Sequence, residues 1–271
     1  MNKVSFQGEH GAYSESAARK FFEEEIESLP CNTFQDTLKN TQENNSDYSI
    51  LPVENSIEGT VGQSIDAITK TNLYAIGEIY LKVEHCLIST GKLEDIETVY
   101  SHPQALGQCS EFIENNKLKT VPTYDTAGSV KIVKEMNDVH SASIASNYAG
   151  ELYNMSVLKQ GIENNTNNYT RFLIFAKTNS NEGTNDKTSI IFSVKHEPGT
   201  LYQILKEFND NNINLTKIES RPNKNTNWEY NFFVDFAGHF SNSKIKSVLD
   251  KISENTLFLK IIGSYPIVDL D

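Results

Sequence analysis

The chain changes pattern at Thr178–Asp186, a polar stretch without an apolar side chain. Such a stretch reads as a linker, so the sequences on either side are separate folding problems. After it, Thr188–Lys195 has the composition of a strand, and Leu201, Ile204, Leu205 and Phe208 follow at i, i+3, i+4 and i+7, the stripe of an amphipathic helix. Leu215–Arg221 reads as a second strand and Pro222–Asn227 as a hairpin loop, after which Tyr230, Phe232, Val234 and Phe236 alternate onto one face of a third strand. Ile245, Val248, Leu249 and Ile252 repeat the helical stripe, and Leu257–Tyr265 closes the pattern as a strand. The order βαββαβ is that of a ferredoxin-like sandwich, and it assigns residues 187–271 to one domain.

Residues 1–178 alternate short apolar runs with helical patterns. Strands are expected at Val4–Gln7, Ser49–Val53, Glu97–Tyr100, around Ile144 and at Arg171–Ala176, with a helix from about Ser14 to Phe22, capped by Ser14. Further helices carry Ile65 and Ile68, and open at Ser101-His102-Pro103, where Pro takes its favoured place near N1. Alternation of this kind implies parallel βαβ units and an α/β fold. In open α/β sheets ligands gather beyond the carboxyl ends of the strands, and the polar clusters of this chain lie at those handovers.

Composition narrows the function. The formal charge of −12 argues against nucleic acid and anionic membrane as partners, and an anionic ligand would require locally concentrated cations. Cys31, Cys86 and Cys109 are odd in number and contain no Cys-x-x-Cys pair, which disfavours a disulfide framework or thiolate zinc site and favours a reducing compartment. The six histidines have no metal-ligand spacing, so no metal is expected. The N-terminus carries no charged region followed by an apolar one, and the apolar runs are of strand length, so the expected location is the cytoplasm.

Four clusters could carry chemistry. Phe6–Ser14 is a strand, Gly turn and helix start, whose free N–H groups attract anions, although a Gly turn is as readily structural. Leu51–Gly62 presents Glu54, Asn55 and Ser56 at a strand end, equally readable as a capped turn. In Ser101–Cys109, Ser101, Gln104 and Gln108 fall on one side of the helix start, and His102, before Pro, reads as a capping or packing residue ahead of a catalytic one. In Asn167–Phe175 a donor-rich loop enters a strand, and Arg171 can clamp a carboxylate. Thr170 and Arg171 would face opposite sides if both lie within that strand, and could share a ligand only at an irregular strand start. No Ser-His-Asp order, Gly-x-Ser-x-Gly, Walker A or Gly-x-Gly-x-x-Gly pattern occurs. The remaining set of Thr, Ser, Asn, Gln, one Glu and one Arg suits a small polyanion bound without a cofactor.

Taken together, Gly-x-x-Gly-Ala-Tyr-Ser, Pro-Val-Glu-Asn-Ser-Ile-Glu-Gly, Ser-His-Pro-Gln-Ala-Leu-Gly-Gln-Cys and Thr-Arg-Phe resemble, in order and across essentially the whole chain, the prephenate dehydratase family. The C-terminal unit, with Glu219-Ser220-Arg221-Pro222, resembles that family's ACT regulatory domain. Without preceding chorismate mutase helices, the chain resembles the monofunctional form. The resemblance implies conversion of prephenate to phenylpyruvate with loss of water and CO2, in phenylalanine biosynthesis. It implies a two-lobed catalytic domain like a type II periplasmic binding protein over residues 1–178, with lobe 1 at about 1–76 and 165–178 and lobe 2 at about 77–164.

By motif matching, Thr170, Glu54, Asn55, Ser101 and Gln108 fall on the family's catalytic positions, Thr170 being the essential donor to the departing hydroxyl and Glu54 a proton source if its pKa is raised. Arg171, Asn168 and Ser14 are expected to bind substrate. Pro198, Gly199, Thr200, Leu201, Glu219, Ser220, Arg221 and Pro222 are expected to bind L-phenylalanine as a feedback inhibitor between paired ACT domains, in a dimer or dimer of dimers. Thr200 stands where the family usually has Ala, and Asn164 where Asp is common. Arogenate dehydratase, and a catalytically silent amino-acid-binding regulator, are the alternatives the motifs leave open.

Overall fold

The computed structural model describes residues 1–222 and 230–269. Beyond Pro222, the loop read over Pro222–Asn227 lies outside the described residues. The chain runs β1 (Asn2–Gln7), α1 (Tyr13–Phe22), β2 (Ile26–Cys31), α2 (Phe34–Gln42), β3 (Tyr48–Asn55), β4 (Gly59–Thr60), α3 (Gly62–Lys70), β5 (Tyr74–Lys82) and β6 (Cys86–Ser89). It continues through β7 (Thr98–Ser101), α4 (Pro103–Gln108), α5 (Ser110–Asn115), β8 (Lys119–Pro122), α6 (Thr126–Met136), β9 (Ser141–Ala145), α7 (Asn147–Leu152), β10 (Ser156–Gln160) and β11 (Tyr169–Ala176). After the polar stretch come β12 (Asp186–Ser193), α8 (Thr200–Asp210), β13 (Leu215–Pro222), β14 (Tyr230–Ala237), α9 (Ser243–Glu254) and β15 (Phe258–Pro266).

Three sheets result, and the fold class read from the sequence is the one observed. The first has the order β2-β1-β3-β11-β5, with β4 paired to β3; the second has the order β10-β6-β9-β7-β8. Late strand β11 thus returns to sit between β3 and β5, so residues far apart in sequence end side by side. The third sheet, β13-β14-β12-β15, is antiparallel throughout and packs the stripes of α8 and α9 against Ile190, Phe192, Val234 and Phe236.

Contacts group the chain into two compact units. One contains Met1–Ser64 and Ile79–Phe172; the other contains Ile65–Glu78 together with the chain from Leu173 onward. Segment Ile65–Glu78 is tied into the second unit by polar bonds that are buried or partly so. Lys260 Nζ donates to the carbonyls of Ile68 (2.8 Å) and Thr69 (3.0 Å), and to that of Thr71, placing a cation at the carboxyl end of α3, where the helix dipole favours one. Burial pushes the Lys260 ammonium down to about 8. Gly263 of β15 passes so close to Ala75 that a Cβ would lie 2.1 Å from its carbonyl oxygen.

Lys187 Nζ reaches both carboxylate oxygens of Glu78, at 2.9 and 3.1 Å, with both side chains buried. Removing one member of such a pair leaves an uncompensated buried charge. Glu78→Ala is therefore expected to lower stability by about 3–5 kcal/mol, read as a fall in the denaturation midpoint at unchanged slope. Glu78→Leu combined with Lys187→Met should recover most of that loss.

Candidate active site

The turn after β3 organises the site. Asn55 is the last residue of β3, pairs with Gly59 of β4, and is buried. Its Oδ1 accepts the backbone N–H groups of Ile57 and Glu58, each at 3.0 Å. Two N–H donors aimed at one amide atom require oxygen there, so the Nδ2 end faces the opposite way. There it donates to Asn168 Oδ1 (2.7 Å), Thr170 Oγ1 (3.0 Å) and the Tyr169 carbonyl (3.3 Å). An amide nitrogen cannot accept, so Thr170 Oγ1 is the acceptor and its own hydrogen meets no acceptor among the described residues.

The orientation propagates. Asn168 is fully buried with its oxygen toward Asn55, so its nitrogen donates to Gln108 Oε1 at 3.1 Å. Gln108 accordingly turns its nitrogen toward the Glu58 carboxylate (3.5 Å) and its oxygen toward His85 Nε2, 2.9 Å away. His85 Nδ1 in turn lies 3.0 Å from the Tyr13 hydroxyl, which also reaches the Glu84 carbonyl at 2.8 Å. Burial lowers the His85 pKa and raises that of Tyr13 well above its ordinary value. His85 and Asn168 are buried, while Gln108 and Tyr13 are half-buried at the cavity wall.

Asn55, Gln108, His85, Tyr13 and Thr170 line one cavity of about 610 Å³. Helix starts open into it: Tyr13 and Ser14 of α1, Phe34 and Gln35 of α2 with its cap Thr33, and Thr126 of α6 with its cap Asp125. Among the described residues lining the cavity there is no Lys or Arg. The concentrated cations that an anion would require are absent from the wall, where helix starts stand instead; in two of these the cap side chain takes a first-turn N–H, Thr33 that of Asp36 and Asp125 that of Gly128. Helix α1 begins one residue earlier than expected, with Ala12 at the cap and no side-chain cap bond, while the buried Glu15 carboxylate takes the Gly11 N–H at 2.8 Å. Gly11 is at φ +94°, and a Cβ there would meet Ala149 at 2.9 Å.

The other expected site residues are distributed as follows. Ser14 lines the cavity. Ser101 is the last residue of β7, fully buried, and its hydroxyl donates to the Ile144 carbonyl at 2.6 Å. It is therefore in a strand and not on one side of a helix with Gln104 and Gln108, which do line the cavity. Strand parity separates another pair: Asn55 and Thr170 face the cavity, whereas Glu54 and Arg171 are not among its lining residues. Those two approach each other, Arg171 Nη1 to Glu54 Oε2 at 3.9 Å, with Arg171 buried. Both Thr170 and Arg171 lie within β11, where strand alternation sends neighbouring side chains to opposite faces. His102 caps α4, its Nδ1 accepting the Gln104 N–H at 3.2 Å, and also lines the cavity.

In the C-terminal unit a cavity of about 340 Å³ is lined by Pro198, Thr200, Leu201, Tyr230 and Phe232 among others. Gly199, at φ +87°, caps α8. Glu219, Ser220, Arg221 and Pro222 lie on edge strand β13, with Ser220 opposite Phe232; Arg221 Nη1 is buried without a partner among the described residues.

Comparison with known proteins agrees with this architecture. The family profile described as prephenate dehydratase matches residues 4–180, and one described as ACT domain matches residues 188–254. The chain belongs to the prephenate dehydratase family. It is 38% identical over 267 residues to a bifunctional chorismate mutase/prephenate dehydratase of Aquifex aeolicus, covering 97% of this chain and 73% of that protein. It is 36% identical to arogenate dehydratase/prephenate dehydratase 2 of Arabidopsis thaliana, covering 98% and 73%. Among solved structures, a prephenate dehydratase from Arthrobacter aurescens in complex with L-Phe superposes with a TM-score of 0.88 at 26% identity, covering 98% of this chain and 90% of that one. A chain described as GqqA, a novel type of quorum quenching acylase, gives 0.89 at 30% identity and 98% coverage of both. Membership makes the protein a dehydratase of the lyase class with an ACT domain.

Sequence gives no signal for His85 or Tyr13, since a lone His and a lone Tyr carry no diagnostic spacing. None of the cysteines offers a ready nucleophile. All are buried, and burial raises the thiols, Cys86 to about 12 and Cys109 further. A thiol reagent at pH 8 should leave the native protein unlabelled and react with all three cysteines after denaturation.

Proposed function

We propose that the protein converts prephenate to phenylpyruvate with loss of water and CO2, in a catalytic domain spanning residues 1–178 and regulated by an ACT domain at 187–271. In that reaction the ring carboxylate departs as CO2, its bonding pair enters the ring, and the ring hydroxyl leaves with the C–O pair as hydroxide, which takes a proton from solvent to become water. Aromatisation supplies the driving force. The enzyme's task is to hold a dianion and stabilise the leaving oxygen with donors already in place.

The observation that carries this reading is Thr170. One of its two lone pairs accepts from Asn55, and its hydrogen, with no acceptor among the described residues, is free to reach a ligand in the cavity it lines. A Thr hydroxyl is too weak an acid to transfer a proton outright, so its part is a hydrogen bond to the departing oxygen. Asn55, Asn168 and Gln108 hold it, while Ser14 and the helix starts bind carboxylates. An acyl-transfer reaction would need a base within reach of the hydroxyl, and the Asn55 amide is not one.

L-Phenylalanine is the proposed inhibitor, supported by the complex of the Arthrobacter relative and by the cavity at Pro198, Thr200 and Leu201. The edge of β13 suits self-association of ACT domains, as a dimer or dimer of dimers. The proposed location is the cytoplasm; among the described residues no helix is long and apolar enough to cross a membrane. A second reading, arogenate as substrate, is favoured by the Arabidopsis relative's name.

Turnover of prephenate and of arogenate by the purified protein, with and without phenylalanine, tests the assignment. Thr170→Ala should lower kcat at least about 10²-fold with a modest change in KM. Retained kcat would remove Thr170 from the reaction, and zero turnover of both acids by the wild type, with phenylalanine still bound, would leave a silent regulator.

A further inference from the structure

We propose that His85 is a positioning residue for the reaction, held as the neutral Nε2–H tautomer, which locks the amide relay Gln108–Asn168–Asn55 and so fixes where the Thr170 hydroxyl points. This inference rests on the reading of Thr170 given above and adds the element that keeps its hydrogen directed into the cavity.

The two turn N–H groups on Asn55 Oδ1 fix one end of the relay. At the other end, Gln108 Oε1 already accepts from Asn168 Nδ2 at 3.1 Å and sits 2.9 Å from His85 Nε2. An oxygen there requires His85 Nε2 to carry the hydrogen. If Nε2 were bare, two acceptors would face each other in a partly buried site, and Gln108 would have to flip, turning its nitrogen on Asn168 Nδ2. That inversion would pass to Asn168 and set it against the Asn55 nitrogen, which the turn does not allow to rotate. The imidazole is itself held on three sides. Its backbone N–H donates to the buried Glu163 carboxylate at 2.8 Å, its ring meets Tyr13 edge-on with centroids 5.7 Å apart, and Nδ1 faces the Tyr13 hydroxyl. The relay assigns the hydrogen at Nε2; at Nδ1 the single Tyr13 hydrogen has two acceptors within reach, the Glu84 carbonyl at 2.8 Å and the ring nitrogen at 3.0 Å. His85 reaches Thr170 only through three intervening amides, so its effect is on orientation.

Two kinds of measurement test this. The ¹⁵N shifts of His85, read on the full-length wild-type protein, report the tautomer independently of any activity. The Nε2–H form between pH 6 and 8 is the expected result, and an Nδ1–H form or an imidazolium overturns the proposal. In kinetics, His85→Leu removes the donor and should lower kcat about 10²-fold with KM changed less than about threefold, whereas His85→Gln, which keeps an N–H donor, should retain most of kcat. In the Thr170→Ala background the Leu change should cost under about twofold, because the group it orients is gone. Equal losses for Gln and Leu, full kcat in the Leu variant, or additive losses in the double variant would overturn it. If His85→Leu fails to fold, the tautomer and the Gln variant decide. If the wild type turns over neither substrate, the functional reading fails while the tautomer measurement still stands or falls by itself.

Discussion

The site depends on one side-chain amide that cannot turn. Asn55 closes the β3–β4 turn by accepting two backbone N–H groups, and this local bond dictates which way its nitrogen faces. Every later assignment follows from it: the acceptor role of Thr170, the direction of Asn168 and Gln108, and the hydrogen on His85 Nε2. Amide side chains bonded in series behave as a unit, because reversing one member opposes donor to donor at the next. Burial makes that opposition costly, since an unpaired polar group in a dry site loses its water without replacement.

The second determinant is the electrostatic character of the cavity wall in a protein of net charge −12. Arg171 and Glu54 approach each other and lie outside the cavity wall, and the wall carries helix starts instead. Backbone N–H groups are fixed in direction and need no reorganisation as charge moves during a reaction, the property asked of a site that stabilises a leaving oxygen. A mobile Lys would supply charge without that fixity.

Much of the fold was legible in sequence. The βαββαβ unit could be read because α8 and α9 carry clean apolar stripes and β14 sets Tyr230, Phe232, Val234 and Phe236 at alternate positions, so periodicity identifies each element. Helix α2 and strand β2 escaped notice for a physical reason. The sequence of α2, Phe34–Gln42, offers only Leu38 as a buried aliphatic side chain, and its inner face is held by hydroxyls: Ser5 Oγ donates to the Thr37 carbonyl at 2.8 Å, and Thr41 Oγ1 bonds Ser46 Oγ at 2.9 Å. Hydropathy does not register such a core. In β2, Pro30 weakens the strand pattern, yet its register with β1 is unbroken.

Sequence by itself determined the class of each half, the family, and which short segments meet at the carboxyl ends of strands, because periodicity, turn residues and ordered motifs are local properties of a chain. Tertiary structure alone decided which members of those segments share the cavity. Ser101 and Thr170 stand in comparable motifs, yet one hydroxyl is given to the Ile144 carbonyl and the other is aimed into the hollow. Neighbours such as Glu54 and Asn55, or Thr170 and Arg171, are parted by the twofold alternation of a strand whose exact start only its pairing sets. The bonds joining Asn55 to Asn168 and Thr170 span more than a hundred residues, and a contact of that separation exists only once β11 has returned to lie between β3 and β5.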